Sequence, residues 1–441
     1  MKNTHLKETE IGEIPEEWQL KRVDEIAVIN EAAVGKKYQC EEIEYIDIDS
    51  VEEGQIKTVK KMKLAEAPSR AKRIVKKNDI LISTVRPNLK HYAFISAAKP
   101  NTVASTGFAV ISAKGIDPRF LYYCLTTQKY TNYLSAIADA HTSTYPSFNP
   151  DIIENSNIPY PPIPEQHIIA KILSDLDAKI ELNRQMNQTL EQIGEALFKR
   201  WFVDFEFPNE EGKPYKSSGG EMVDSELGEI PKGWNASKLG EHVSMVRGCS
   251  YSSAGLKDSE NALVTLKSIE RGGGFKTEGF KPYIGEFKDK HIVKNGEIIV
   301  AHTDLTQNAE VLGKPAIVRE VPYFNKLIAS MDLGIIRPTD DRASNPFLYY
   351  LLKSDQFQNH AYGYASGTTV LHLSSKAIPD FQFILARKEV ITRFTQIVEK
   401  LTMKIQYNFS EAENLEKIRD TLLPKLMSGQ IRVKIPKESA N

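Results

Sequence analysis

The sequence predicts a mixed α/β protein built twice over: two similar α/β globules separated by two long helices that form an antiparallel intramolecular coiled coil, with pseudo-twofold symmetry. Three observations predict it. The stretch IGEIPEEW at 11–18 returns as LGEIPKGW at 227–234. Short β-rich runs bounded by Gly, Asn, Asp and Pro come before each of two long helical patterns. Both helical patterns keep one 4-3 apolar spacing and break it at matched places.

The 441 residues exceed one core of usual size, and two or more domains of about 150 residues are expected. Apolar content of 41% and charged content of 26% describe an ordinary soluble protein. Cys40, Cys124 and Cys249 lie far apart and form no CxxC pair, which predicts a reducing compartment and no structural zinc. The opening residues are polar and acidic, and no run of about 18 apolar residues occurs, so a cytoplasmic chain without a membrane anchor is expected.

A net charge of −1 hides a segregation. From Lys57 to Lys77 nine Lys or Arg face the single Glu66, whereas Glu206 to Glu229 carries seven acidic residues against Lys213 and Lys216. A local basic surface therefore survives the near-zero total.

The repeat begins at an offset of 216, where Gly12, Glu13, Ile14, Pro15 and Trp18 answer to Gly228, Glu229, Ile230, Pro231 and Trp234. KKNDILIS (76–83) resembles VKNGEIIV (293–300), FLYYCL (120–125) resembles FLYYLL (347–352), and HTSTYPSFN (141–149) is loosely echoed by GTTVLHLSS (367–375). Offsets that drift between about 216 and 227 fit a duplicated unit with loop insertions. DILISTV (79–85), GFAVIS (107–112) and EIIVAH (297–302) read as strands. Residues 118–134 and 345–361 read as helices with Pro near the first turn. The predicted parts are a first globule at 1–160, a helical region at 161–207, an acidic linker at 208–226, a second globule at 227–384, a second helical region at 385–433 and a tail at 434–441.

Pro164 and Glu165 are helix-start residues. From there Ile169, Leu173, Leu176, Ile180, Asn183, Asn187, Leu190, Gly194, Leu197 and Trp201 step by 4 and 3. Phe394, Val398, Leu401, Ile405, Asn408, Ala412, Leu415, Arg419, Leu422 and Leu426 keep the same frame. Asn183 answers to Asn408, and Gly194 and Arg419 interrupt the two seams, with Ile193 and Ile418 as the apolar residues one step earlier. A polar pair in a seam costs stability but sets register. Antiparallel pairing predicts Leu173 near Ile418 and Leu197 near Phe394; separate helices, each docked on its own globule, are the alternative. Helices of about 37 residues would be roughly 55 Å long and act as a ruler between the two globules. The second region lacks the Pro-Glu-Gln start of the first, and Pro424 is expected to stop or kink its helix near Leu423.

Catalytic motifs are missing. RGGGFKTEG (271–279) lacks the Gly-Lys pair of a phosphate loop and reads as a surface turn. Asn149-Pro150 leads into Asp151 and Asn345-Pro346 into Phe347, so the NPP[YF] tetrapeptide of adenine methylases does not occur. His167 has no partner at metal spacing, no metal site is predicted, and the three cysteines read as buried structural thiols. The chain is not expected to make or break bonds by itself. Candidates for contact with phosphates and base edges are Lys57, Lys60, Lys61, Lys63, Arg70, Lys72 and Arg73, followed by Arg86, Lys90 and His91. In the second globule they are Arg271, Lys276, Lys281, Lys288 and Lys290, with His302, Thr303, Gln307 and Asn308 as hydrogen-bonding residues.

The stretch 161–207, the LGEIPKGW restart and the ending RDTLLPKLMSGQIRV (419–433) together resemble the specificity subunit of type I restriction-modification enzymes, over essentially the whole chain. The resemblance implies two target-recognition domains, each reading one half of a bipartite sequence in double-stranded DNA. It implies helical regions that hold two methylation subunits, with restriction subunits joining the larger complex in a bacterial or archaeal cytoplasm. The partners would carry S-adenosylmethionine, ATP and Mg, and with them the adenine methyltransferase and ATP-dependent endonuclease chemistry of a defence system; this chain would hold no cofactor. The unequal helix starts leave the two methylation-subunit docking sites open to being unequal. Two other readings compete: an enzyme acting on DNA itself, and a protein-bridging coiled-coil scaffold without DNA contact.

Overall fold

The computed structural model describes residues 5–36, 38–141, 145–277, 279–306 and 309–434. Two compact units divide the chain: Met1–Ile180 with Asn414–Asn441, and Glu181–Glu413. Each unit thus takes one globule and one end of each long helix.

In the first unit the strands β1 (Ala27–Ile29), β2 (Glu42–Ile46), β3 (Lys60–Lys63), β4 (Ala71–Ile74), β5 (Ile80–Ser83), β6 (Tyr92–Phe94), β7 (Thr102–Ser105) and β8 (Phe108–Ala113) build two four-stranded sheets. Their orders are β6, β5, β8, β1 and β3, β2, β7, β4. All neighbours are antiparallel except β2 and β7, which run parallel with Tyr45 opposite Val103. All four residues of strand β5 are buried, the apolar Ile80, Leu81 and Ile82 and the polar Ser83. Helix α1 (Pro118–Leu125) begins where the Asp117 carboxylate accepts from the Arg119 and Phe120 amides, with Pro118 at a position that needs no amide hydrogen. It buries Phe120, Leu121, Cys124 and Leu125, and α2 (Gln128–His141) follows. Trp18, Phe120, Leu121, Ile169, Leu173, Leu426 and Met427 share the core of this unit.

After α3 (Ile163–Phe198), the second unit repeats the plan. Strands β9 (Val243–Arg247), β10 (Asn261–Val264), β11 (Lys281–Pro282), β12 (Ile292–Val293), β13 (Ile298–Ala301), β14 (Pro315–Ile317), β15 (Lys326–Ala329) and β16 (Leu333–Pro338) form sheets ordered β14, β13, β16, β9 and β11, β10, β15, β12. The one parallel pair recurs in the same place, between β10 and β15. Helices α4 (Asn345–Lys353) and α5 (Asp355–Gly363) stand where α1 and α2 stand in the first unit, and α6 (Lys388–Met427) is the second long helix.

The long helices pair antiparallel inside each unit. In the second, Asn183 Nδ2 donates to Glu411 at 2.8 Å, Asn408 Nδ2 donates to Asn187 Oδ1 at 2.9 Å, and the Phe198 and Phe394 rings lie 5.9 Å apart. In the first, Arg419 meets Asp177 at 3.0 Å. Rising numbers on one helix face falling numbers on the other, so the separate-helix alternative does not hold. Leu173, Ile180, Asn183, Val398, Ile405 and Asn408 are buried; Leu176, Leu190, Leu197, Leu401, Leu415 and Leu422 are half-buried. Leu197 packs against the core that holds Phe394.

Two expectations are corrected. Ile418 does not sit beside Leu173: it is 48% exposed, and the core around Leu173 takes in Leu422, Leu426 and Met427 instead. Arg419 keeps the inward seam position because Asp177 neutralises it there. Ile193 is likewise 48% exposed, since Gly194 holds the seam, where a Cβ would overlap the Tyr350 hydroxyl. Of the two outcomes expected at Pro424, a stop or a kink, the stop does not occur, since the helix runs on to Met427. So near the end the missing amide removes a single backbone bond, and the burial of Leu426 and Met427 holds the last turn in place.

The start of each long helix joins the repeated tryptophan in a different chemistry. In the first unit Glu165 is 1% exposed; it accepts from Trp18 Nε1 at 3.0 Å and from Arg432 Nε and Nη2 at 2.8 and 3.0 Å. Arg432 also reaches Glu17 and lies over the Trp18 ring. In the second unit Val390 and Ile391 are buried near the start of α6, Phe207 stacks on Trp234 at 4.9 Å, and Trp234 Nε1 has no hydrogen-bond partner among the described residues. One joint is ionic and the other apolar.

Candidate nucleic-acid interface

The basic run is contiguous in sequence but divided in space. Lys60, Lys61 and Lys63 lie on β3, at one edge of the second sheet of the first unit; Lys72 and Arg73 lie on β4, at the other. Three strand spacings of about 4.8 Å put those edges roughly 14 Å apart. On β3 the period of two turns Met62 toward buried Ile43, while Lys61 and Lys63 stand opposite Glu44 and Glu42. Lys60 pairs with Asp47 at 2.6 Å, and that hydrogen bond raises its pKa. Lys57, exposed just before the strand, donates to Gln55. Arg70 and Lys72 are exposed; Arg73 is half-buried, with a buried Nε that has no hydrogen-bond partner among the described residues. The structure therefore gathers Lys57, Lys60, Lys61 and Lys63 at one edge and separates them from Arg70, Lys72 and Arg73.

A second group forms at the end of β5. The chain leaves Ser83, pairs Val85 with Ser147, and bonds the Arg86 amide to Pro146 O and the Phe148 amide to Thr84 O. Arg86 (φ 47°) and Lys90 (φ 56°) both take the left-handed conformation around a short turn at Pro87–Leu89, which costs an ordinary residue about 1 kcal/mol. The Arg86 guanidinium lies 5.1 Å from the centroid of Tyr145, whose side chain is 66% exposed, and Leu89 beside it is 48% exposed. Lys90 meets Glu53 at 3.5 Å, and His91 Nδ1 bonds Val51 O. Arg86, Lys90 and Leu89 are thus brought together on one turn with Tyr145, which the sequence reading missed although it lies inside the HTSTYPSFN echo.

The matching place in the second unit is closed. After β13, Thr303 pairs with His372 as Val85 pairs with Ser147. The Asp304 carboxylate, 0% exposed, then accepts from the Thr306 amide and hydroxyl and from the Val311 and Leu312 amides. His302 and Thr303, expected as hydrogen-bond donors to bases, are corrected here: they are 1% and 5% exposed. The His302 ring turns toward Met245 Sδ at 3.2 Å, Thr303 bonds Asp332, and burial pushes the imidazole pKa down to about 4, with the Arg247 charge adding to it. A polar residue after a strand reads as surface in sequence, yet here the strand end is inside. Gln307 and Asn308 fall outside the described residues. Arg271 is exposed and paired with Glu310 at 3.0 Å, and Lys276 is half-buried with its amide bonded to Ser268 O. Lys281 lies over Tyr251, 5.6 Å from its centroid, and Lys288 and Lys290 are exposed.

Among the described residues no group of three or more His, Cys, Asp or Glu is placed to hold a metal ion, and no helix is long and apolar enough to cross a membrane. Cys124 is buried against Met427 Sδ, and burial raises the thiol pKa of both Cys124 and Cys249. The chemistry that both units present is cationic and aromatic side chains on strand edges and turns.

A family model described as the type I restriction modification DNA specificity domain matches residues 15–192. The specificity subunit of the type I restriction enzyme MjaIX from Methanocaldococcus jannaschii is 29% identical over 441 residues, covering 98% of this chain and 97% of that protein. The specificity subunit of the type I restriction enzyme HindI from Haemophilus influenzae is 28% identical over 414 residues, covering 83% and 89%. Among solved structures, the S subunit of a type I restriction-modification system from M. genitalium aligns over 97% of both chains with 16% identity and a TM-score of 0.52, a likeness of fold.

Proposed function

Because the chain belongs to the family of type I restriction enzyme specificity subunits, we propose that each of its two units reads one half of a bipartite DNA target. It is the non-catalytic DNA-recognition subunit of a type I restriction-modification system. The observation that carries the two-half reading is the contrast between the units. Their sheets share one strand order down to the single parallel pair, yet the turn after the equivalent strands is an exposed Arg-Tyr pair in one and a carboxylate-closed loop in the other. A duplicated scaffold with divergent turns suits two readers of different sequences.

In this reading the paired helices dock two methylation subunits, and restriction subunits complete the assembly. S-adenosylmethionine, ATP and Mg belong to those partners, which carry out adenine methylation and ATP-dependent cleavage. The scaffold reading predicts a complex indifferent to DNA. The test is the affinity of the purified chain with its methylation subunits for a duplex carrying the target, measured from low to high salt. A log K that falls linearly with log salt, and a residual preference for one sequence, are expected. Affinity that does not change with salt, or is equal for all duplexes, overturns the reading.

A further inference from the structure

We propose that Arg86 is the side chain by which the first unit reads a guanine, and that the second unit reads its half-site without a counterpart. The inference rests on the DNA-reading function proposed above and deepens it.

Three features combine at Arg86. Its backbone is held on both sides: its amide donates to Pro146 O, its carbonyl accepts from the Leu89 amide, and Pro87 follows immediately. Its guanidinium lies 5.1 Å from the centroid of the Tyr145 ring, a cation–π contact that holds the side chain of an otherwise exposed residue. Among the described residues no carboxylate lies within ion-pair distance of it, whereas Lys60, Lys76, Lys90 and Lys99 each have one. A planar, pre-oriented and unneutralised fork on an exposed turn matches the O6 and N7 acceptors on the major-groove edge of guanine. A phosphate contact needs none of this pre-orientation, and a lysine would serve it.

The second unit supports the asymmetry. Val85 and Thr303 occupy the same pairing position, so the residue after each is equivalent, and Arg86 corresponds to Asp304. A buried carboxylate spent on four bonds within its own loop offers nothing to a base.

The decisive variant is Arg86→Lys, which keeps the charge and the aromatic contact but loses the two-pronged fork. The full chain is expressed with its methylation subunits, and methylated adenines are mapped at base resolution. The expected result is a wild-type motif of two half-sites with a guanine in the half read by the first unit. In Arg86→Lys, discrimination at that single position falls roughly tenfold to a hundredfold, while every position of the other half-site is kept. Tyr145→Ala, which removes the ring against which the guanidinium lies, lowers discrimination at the same position and leaves the other half-site intact. An unchanged motif in Arg86→Lys, or methylation lowered or lost at all positions alike, overturns the assignment of Arg86 as a base reader. A wild-type map without any two-part motif overturns the underlying function instead, so the two failures are told apart.

Discussion

Replacing Glu165 with valine gives the first unit the residue type that Val390 supplies near the start of the second long helix, and the structure allows the cost to be worked out. Glu165 accepts three hydrogen bonds, from Trp18 Nε1 and from two nitrogens of Arg432. Trp18 is 0% exposed, so its indole N–H is left without an acceptor at about 1–3 kcal/mol. Breaking a fully buried ion pair costs about 3–5 kcal/mol, but the Arg432 side chain is 29% exposed and retains Glu17, which brings that part down to about 1 kcal/mol. The sum is about 2–4 kcal/mol. Adding Arg432→Phe removes the stranded cation and lays a ring over Trp18, as Phe207 lies over Trp234. The double variant is then expected to recover about half of the loss, a coupling of about 1–2 kcal/mol. Because a two-unit chain does not unfold in a single transition, the assay is hydrogen exchange of the amides in Gln19–Arg22 and the first turns of α3, with the amides of α4 as an internal control. Unchanged protection in Glu165→Val, or a double variant that loses the sum of its two singles, refutes the ionic joint.

Gly194→Ala should destabilise the second unit by about 1–3 kcal/mol by overpacking, because the added methyl meets the Tyr350 ring, although an exposed helical Gly→Ala change gains about 1 kcal/mol; increased hydrogen-exchange protection of the α4 amides would contradict the packing. His302 titrates at about 4 when folded against an ordinary value of 6.5, so the unfolded chain binds more protons between those pH values and stability falls as pH drops through the window, by about 3 kcal/mol in full. His302→Gln should lose that component of the pH dependence; identical profiles for the two proteins would count against a buried neutral imidazole. Lys61→Gln with Lys63→Gln should weaken binding to every DNA sequence alike and reduce the salt slope by about two; an unchanged slope removes that strand edge from the interface.

The duplication and the helix pair were legible in the sequence because they are periodic. Trp18 and Trp234 mark the same structural corner, and the 4-3 spacing falls on buried or half-buried positions throughout, Gly194 and Arg419 included. Local pattern carried less of the register. Ile418 looked like a better seam residue than Arg419 until Asp177, far away in sequence, supplied the neutralising charge. The strand order was not readable either, since the parallel pairing of β2 with β7 joins segments separated by both edge strands of one sheet and two strands of the other. Among the candidate contact residues, exposed lysines on β3 were found by charge alone, whereas His302 and Thr303 were misplaced because polarity after a strand does not reveal burial. Glu165 and Arg432 lie 267 residues apart. A position-by-position comparison of the two helix starts, carboxylate against valine, was the signal that could have paired them.

The proposed function requires two halves of one DNA target to be read by two units of one chain. Base-resolution mapping of methylated adenines in the host, with the gene intact and with it deleted, tests this most directly. The account predicts that deletion erases one motif made of two short half-sites at a fixed gap, and that restoring the gene restores it. An unchanged map, with the methylation subunits still produced, would contradict it.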